Sequence, residues 1–298
     1  MVLVMEGASA PVFTPFDQSG NVNYDVIPKY VKYLKANGVD GILVGGTTGE
    51  ATLLSMEERK KVLLTWLKEA KQLNMKVIAQ VGGVPLPDVI EMAKFAEQHR
   101  ADAIMTLPEL YHKPRTAEQL VSYLEIVSKA APSLPLIYYH FPMMSGVHVN
   151  VKQLFTLATK RIPNFKAMKA DLEVAMELAD LVLPGQKIII ANHHLAPAVY
   201  MGHESSVATV TNMFPKLVQE VIRAAKSGDR NAPELQYKLN RYVDAIIAGG
   251  DFLPAMKAAM EMITGIPVGP VRPPLTPLSD EQKSRLRTSL LAAQIKLI

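Results

Sequence analysis

The chain has 298 residues, 49% hydrophobic and 20% charged, enough for one large α/β domain or two ordinary ones. Its 32 basic and 28 acidic residues are scattered without a block of one sign, which argues against a nucleic-acid partner. With no cysteine it has no disulfide, thiolate nucleophile or Cys-ligated metal.

The start, Met1-Val-Leu-Val-Met-Glu-Gly7, lacks both a basic leader and a long apolar core, so no signal peptide is expected. No apolar run approaches membrane-spanning length. A soluble, cytoplasmic protein without a membrane partner is the expectation. Further along, short apolar runs rich in β-branched residues alternate with amphipathic ones. The pattern predicts strands at residues 7–13, 41–46, 76–81, 103–107, 136–141, 165–170, 187–192 and 206–210. Their continuous apolar character suits strands covered on both faces. Helical stretches lie between them, at 24–36, 56–72, 88–99 and 116–130 among others. Ser55 and Thr116 stand as N-caps, and Gly38 follows the first helix where a terminating glycine belongs. Eight β-then-α units predict a (β/α)₈ TIM barrel over residues 1–228. Residues 229–298 read as a helical appendix packed on the barrel, with helices at 232–247, 252–264 and 280–295. The Pro-rich run Gly265-Ile-Pro-Val-Gly-Pro-Val-Arg-Pro-Pro-Leu275 is predicted to be a surface strap between the last two.

Three features fall at the C-terminal ends of predicted strands, where a parallel barrel gathers its chemistry. Lys169 closes Asn164-Phe-Lys-Ala-Met-Lys-Ala170. Alternation puts Phe165, Ala167 and Lys169 on one face and Lys166, Met168 and Ala170 on the other. A strand-end lysine alone is more often a solvated charge. A desolvated one attacks a ketone to form a Schiff base. Tyr138 and Tyr139 point to opposite faces. Tyr138 reads as core, and Tyr139, nearer the strand end, as a proton-transfer group. An unperturbed tyrosine ionises near pH ~10, so it needs a relay or a nearby positive charge. Gly45-Gly46-Thr47-Thr48-Gly49-Glu50 is a strand-to-helix turn whose glycines, Gly46 included, permit close backbone approach. Its hydroxyls and N–H groups suit a carboxylate, although an ordinary capped loop has the same composition. Together the three read as a site for a 2-oxo acid.

Other motifs carry less. No dinucleotide fingerprint spans the glycines. His193 and His194 are neighbours, but adjacent residues on a strand point apart and only Glu204 is a nearby carboxylate, so no metal site is expected. Met143 and Met144 read as pocket or interface lining.

The Gly-Thr-Thr-Gly-Glu turn, the Tyr-x-x-Pro segment beginning at Tyr139 and the strand-six Lys169 recur in order at the spacing of a known family. From residue 7 to 275 the chain resembles the N-acetylneuraminate lyase and dihydrodipicolinate synthase family of Schiff-base aldolases. Residues 139–147 are similar to the sialate-lyase version, and 265–275 to the animal lyases. The synthase branch carries an arginine where this chain has Met144. The resemblance implies that Lys169 forms the imine and that Tyr139 transfers protons. Thr47 and Thr48 would hold the pyruvate carboxylate. It places Thr48 in a hydroxyl relay with Tyr139 and Tyr111, the last reaching across a subunit boundary; Leu110 replaces an aromatic beside it. It implies a homotetramer and no metal or organic cofactor.

The sugar half departs from the pattern. Where the lyases present Gly-x-Asp-Glu after strand seven, this chain has Ile190-Ala191-Asn192-His193. Asp171 replaces Ser or Thr, and Thr209 a serine. These positions would bind the aldehyde partner, so N-acetylneuraminate cleavage and another 2-oxo-acid aldolase reaction both remain open. A non-catalytic pyruvate binder is the alternative of another class, and retention of Lys169, Tyr139, Thr47 and Thr48 counts against it.

Overall fold

Parallel pairing runs without interruption around a closed barrel in the computed structural model, which describes residues 6–298. The expectation about a leader therefore falls on residues 1–5, outside the described part. Among the described residues the strands are β1 Ala8–Pro11, β2 Gly41–Val44, β3 Lys76–Gln80, β4 Ala103–Thr106, β5 Leu136–Tyr139, β6 Phe165–Ala170, β7 Lys187–Ile190 and β8 Ser206–Val207. The helices are α1 Ile27–Ala36, α2 Met56–Gln72, α3 Leu86–Gln98, α4 Ala117–Ala130, α5 Pro142–Ser145, α6 Val151–Arg161, α7 Leu172–Glu177, α8 Leu195–Tyr200, α9 Pro215–Ser227, α10 Ala232–Ile247, α11 Phe252–Thr264 and α12 Asp280–Ala292. This is the TIM barrel, with helices between the strands and a helical C-terminus. No helix among the described residues is long and apolar enough to cross a membrane.

Local sequence explains the element ends. Ser55 and Glu58 form a reciprocal capping box at α2, and Thr116 accepts from the Gln119 N–H at α4. In α1, Ile27, Tyr30, Val31 and Leu34 are buried at helical spacing, and Gly38 follows with φ +80°. Several strands are shorter than predicted. The eighth ends at Val207, and residues 209–212 turn into a 3₁₀ segment. Asn212 holds that turn by donating to the Pro11 and Thr209 carbonyls, while the Tyr30 hydroxyl donates to Asn212.

Alternation along the strands divides the core into two layers. Leu43, Ile78, Met105, Ile137, Tyr139, Ala167 and Ile189 fill the barrel interior. Ile42, Val44, Tyr138 and Met168 face the surrounding helices. Phe165 departs from the predicted face. It packs against Phe155 of α6 in the outer layer, because the β5–β6 register slips between Leu136 and Ile137. Phe165 pairs with Leu136 but Ala167 with Ile137, so one residue of β6 is bulged out. Beyond the bulge, Tyr139 pairs with Lys169 at the top of the barrel.

Candidate active site

β6 carries Lys169 into the barrel mouth, 5% exposed, beside Tyr139 at 4%. Its Nζ lies 3.6 Å from the centroid of the Tyr139 ring. The two strands are pinned by the His140 N–H donating to the Lys169 carbonyl at 2.9 Å. Phe141 lies nearly parallel to Tyr139, with centroids 5.7 Å apart, and walls the same side of the mouth.

The Gly45–Glu50 turn faces them from β2. Thr47 Oγ1 is 3.2 Å from the Tyr139 hydroxyl, and Thr48 Oγ1 is 3.1 Å from Thr209 Oγ1. The hydroxyl that meets Tyr139 within the chain is thus Thr47's, whereas the Thr48 hydroxyl meets Thr209. The turn winds tightly, with the Gly49 and Glu50 N–H groups donating to the Gly46 and Thr47 carbonyls. A side chain at Gly49 would crowd the turn, since a Cβ there would lie 3.2 Å from the Val12 carbonyl oxygen and 3.1–3.2 Å from the Gly45 backbone.

Tyr111 is not brought to this cluster within one chain. It is 80% exposed and lies with Lys113, Arg115 and His148 along a cleft of about 800 Å³. Asp171 sits just past Lys169 but is exposed, and its carboxylate caps α7 by accepting from the Val174 N–H. Asn192 accepts from the His194 N–H at 3.0 Å, which curls the loop after β7 into a turn. That turn overturns the expectation that His193 and His194 point apart: their ring centroids are 4.8 Å from one another. No group of three or more His, Asp or Glu side chains converges among the described residues.

Two imidazoles here are held neutral. Burial pushes His140 down to about 4, against the opposing pull of Asp171. His193 is likewise pushed to about 4 by burial and by His194. The His193 carbonyl accepts from Gln236 of α10, so the C-terminal helices support this side of the mouth.

Sequence reasoning missed the support under the threonine turn. Glu50 pairs with Lys257 of α11 at 2.9 Å, each side chain 1% exposed. Burial lowers the Lys257 ammonium to about 8, with Glu50 opposing. Arg272 of the strap binds Glu58 with its two terminal guanidinium nitrogens and donates its backbone N–H to Glu50. That pairing holds the Glu58 carboxyl below its ordinary range. One signal was available: Lys257 is the only charge in the apolar run 252–260.

The dihydrodipicolinate synthetase family model matches residues 4–293. The chain belongs to that family. It is accordingly a carbon–carbon lyase of the aldolase type. The N-acetylneuraminate lyase of Homo sapiens is 32% identical over 284 residues, covering 93% of this chain and 89% of the relative. The solved N-acetylneuraminate lyase of Proteus mirabilis superposes with a TM-score of 0.91 at 32% identity, covering 98% of this chain and 99% of its own. The dihydrodipicolinate synthase of Aquifex aeolicus gives a TM-score of 0.88 at 29% identity, covering 98% and 99%.

Proposed function

We propose that the chain releases pyruvate from a 2-oxo sugar acid of the N-acetylneuraminate kind through an imine on Lys169. The observation that carries this reading is the buried Lys169 Nζ against the Tyr139 ring, with the Tyr139 hydroxyl bonded to Thr47. The lysine amine adds to the C2 ketone, and loss of water leaves an imine. Proton removal from the C4 hydroxyl, by Tyr139 or by the substrate carboxylate it orients, lets the C3–C4 bond break toward the protonated imine. An aldehyde leaves, and the remaining enamine takes a proton at C3. Hydrolysis returns pyruvate and the free lysine. Thr47, Thr48 and the backbone at Gly46 would hold the pyruvate carboxylate, with Thr209 fixing the Thr48 hydroxyl. N-acetylneuraminate giving N-acetylmannosamine and pyruvate is the reference reaction, as the names of the relatives suggest.

A second reading, a different aldehyde partner, is favoured by the residues after β7. Asn192 already spends its side-chain oxygen on the turn, and His193 is neutral, so neither offers a polyol the carboxylates of the lyase pattern. The remaining carboxylate there, Asp171, caps a helix. The same reading takes the protein as a cytoplasmic homotetramer in which the exposed Tyr111 completes the relay of a neighbouring subunit.

The test is turnover on a panel of 2-oxo acids, coupled to pyruvate detection. Aldehyde and pyruvate released in equal amounts support the lyase reading. A trapped imine with no aldehyde from any substrate would make the chain a pyruvate binder.

A further inference from the structure

Glu50 closes the threonine turn in an unusual way. It is a non-glycine residue with φ 54° and ψ 30°, a left-handed conformation that costs free energy and persists only when its surroundings impose it. Its side chain runs into the interior rather than to solvent. There one oxygen accepts from Lys257 Nζ at 2.9 Å and the other from the Arg272 N–H at 2.9 Å. Lys257 spends its remaining donors on the Thr14 carbonyl at 3.0 Å and the Pro270 carbonyl at 2.7 Å. Thr14 completes a ring, because its hydroxyl donates to the Gly49 carbonyl at 2.6 Å. The Gly49–Glu50 peptide is thus gripped on its carbonyl by Thr14 and through its side chain by Lys257, and Lys257 also holds Thr14.

The strap is seated on the same point. The Phe16 N–H donates to the Val268 carbonyl, and a Cβ at Gly269 would fall 1.9 Å from the Phe16 carbonyl oxygen, so only glycine permits that approach. Lys257 and Arg272 lie on the Phe16 ring at 4.4 and 4.6 Å. The polar contacts of Glu50 and Lys257 run to one another, to Thr14, to Pro270 and to Arg272. A buried ion pair is also a poor device for stability, since apolar side chains of the same size do as well or better. What it does supply is a single geometry.

We infer that Lys257 and Glu50 are positioning residues, through which the C-terminal appendix sets the depth and orientation of the Thr47–Thr48 hydroxyls and N–H groups that receive the substrate carboxylate. The inference rests on the reading of that turn as the carboxylate site. A displacement of about 1 Å in such a turn costs up to two decades in rate.

The experiment compares Glu50→Gln, Lys257→Met and the double variant in the full-length protein. Three readouts are used: melting temperature, hydrogen exchange of the amides at 45–54, and pyruvate affinity from borohydride-trapped imine on Lys169. Each single variant is expected to speed exchange at Thr47–Glu50 and to weaken pyruvate binding about tenfold or more. The double variant, with both charges gone, is expected to regain the melting temperature but not the affinity. Affinity returning with the melting temperature would reduce the pair to a structural one and overturn the inference. So would wild-type exchange and affinity in Glu50→Gln, and that near-isosteric variant decides alone if the double variant does not fold. Failure of the wild type to form any imine would instead refute the carboxylate-site reading, while the exchange data still report whether the clamp orders the turn.

Discussion

Lys169 Nζ lies over the face of the Tyr139 ring, 3.6 Å from its centroid, because the two residues are register partners on adjacent strands. The β5–β6 bulge sets this pairing. Without it the residues of β6 would meet β5 one step out, and lysine and tyrosine would face different layers.

Covalent capture follows from that placement. Incubation with pyruvate and borohydride should add one reduced pyruvate per chain, on Lys169, as read by mass spectrometry and peptide mapping. Lys169→Ala should lose turnover while remaining folded, as read from a cooperative melting transition. An adduct on another lysine would sink the mechanism.

Tyr139→Phe should still form the imine yet slow C–C cleavage by about 10²-fold, the scale of losing a general acid–base group. Because the hydroxyl facing Tyr139 is Thr47's, Thr47→Val should slow the proton-transfer step more than Thr48→Val does. Single-turnover kinetics with trapped imine separate the steps. Equal effects of the two valine variants on cleavage would contradict a relay through Thr47.

Specificity should lie after β7. Two charge-assisted contacts replaced by neutral ones cost roughly 2–3 kcal/mol, or one to two decades in kcat/KM. N-acetylneuraminate is therefore expected to be a poor substrate beside a shorter or differently charged 2-oxo acid. Asn192→Asp with His193→Glu should improve it, and the aspartate can still accept from the His194 N–H. The measurement is kcat/KM for N-acetylneuraminate in both forms. A double variant no faster than the parent would remove these positions from the specificity argument.

His140 sets an acid limit on stability. Its folded-state value of about 4 lies below the ordinary 6.5, because burial disfavours the charged ring. Above pH 6.5 the ring is neutral in both states and has no effect. Between 6.5 and 4 the unfolded chain binds the proton and the folded one does not, so stability falls with pH, by up to about 3 kcal/mol. His140→Gln should flatten this part of the curve, as read from urea midpoints at pH 7 and pH 4.5 against the wild type. Parallel curves would mean that the ring gains its proton without unfolding.

The barrel, its helical C-terminus, the buried Tyr138 and the inward Tyr139 were legible from residues alone. Strand alternation, helical spacing and caps such as Ser55 and Thr116 are set by neighbours a few positions away. The convergence of Lys169, Tyr139 and the threonine turn was also readable, because a closed parallel barrel sends every strand end to one face. Only the tertiary structure decided which face Phe165 takes, since the bulge exists only relative to β5. It likewise decided that Thr47 rather than Thr48 meets Tyr139, and that the Asn192 turn brings His193 against His194. Glu50 and Lys257 stand 207 residues apart, and no local pattern pairs them. Their contact follows from how α11 and the strap meet on the Glu50 side chain, where a buried carboxylate must find a cation or stay uncharged.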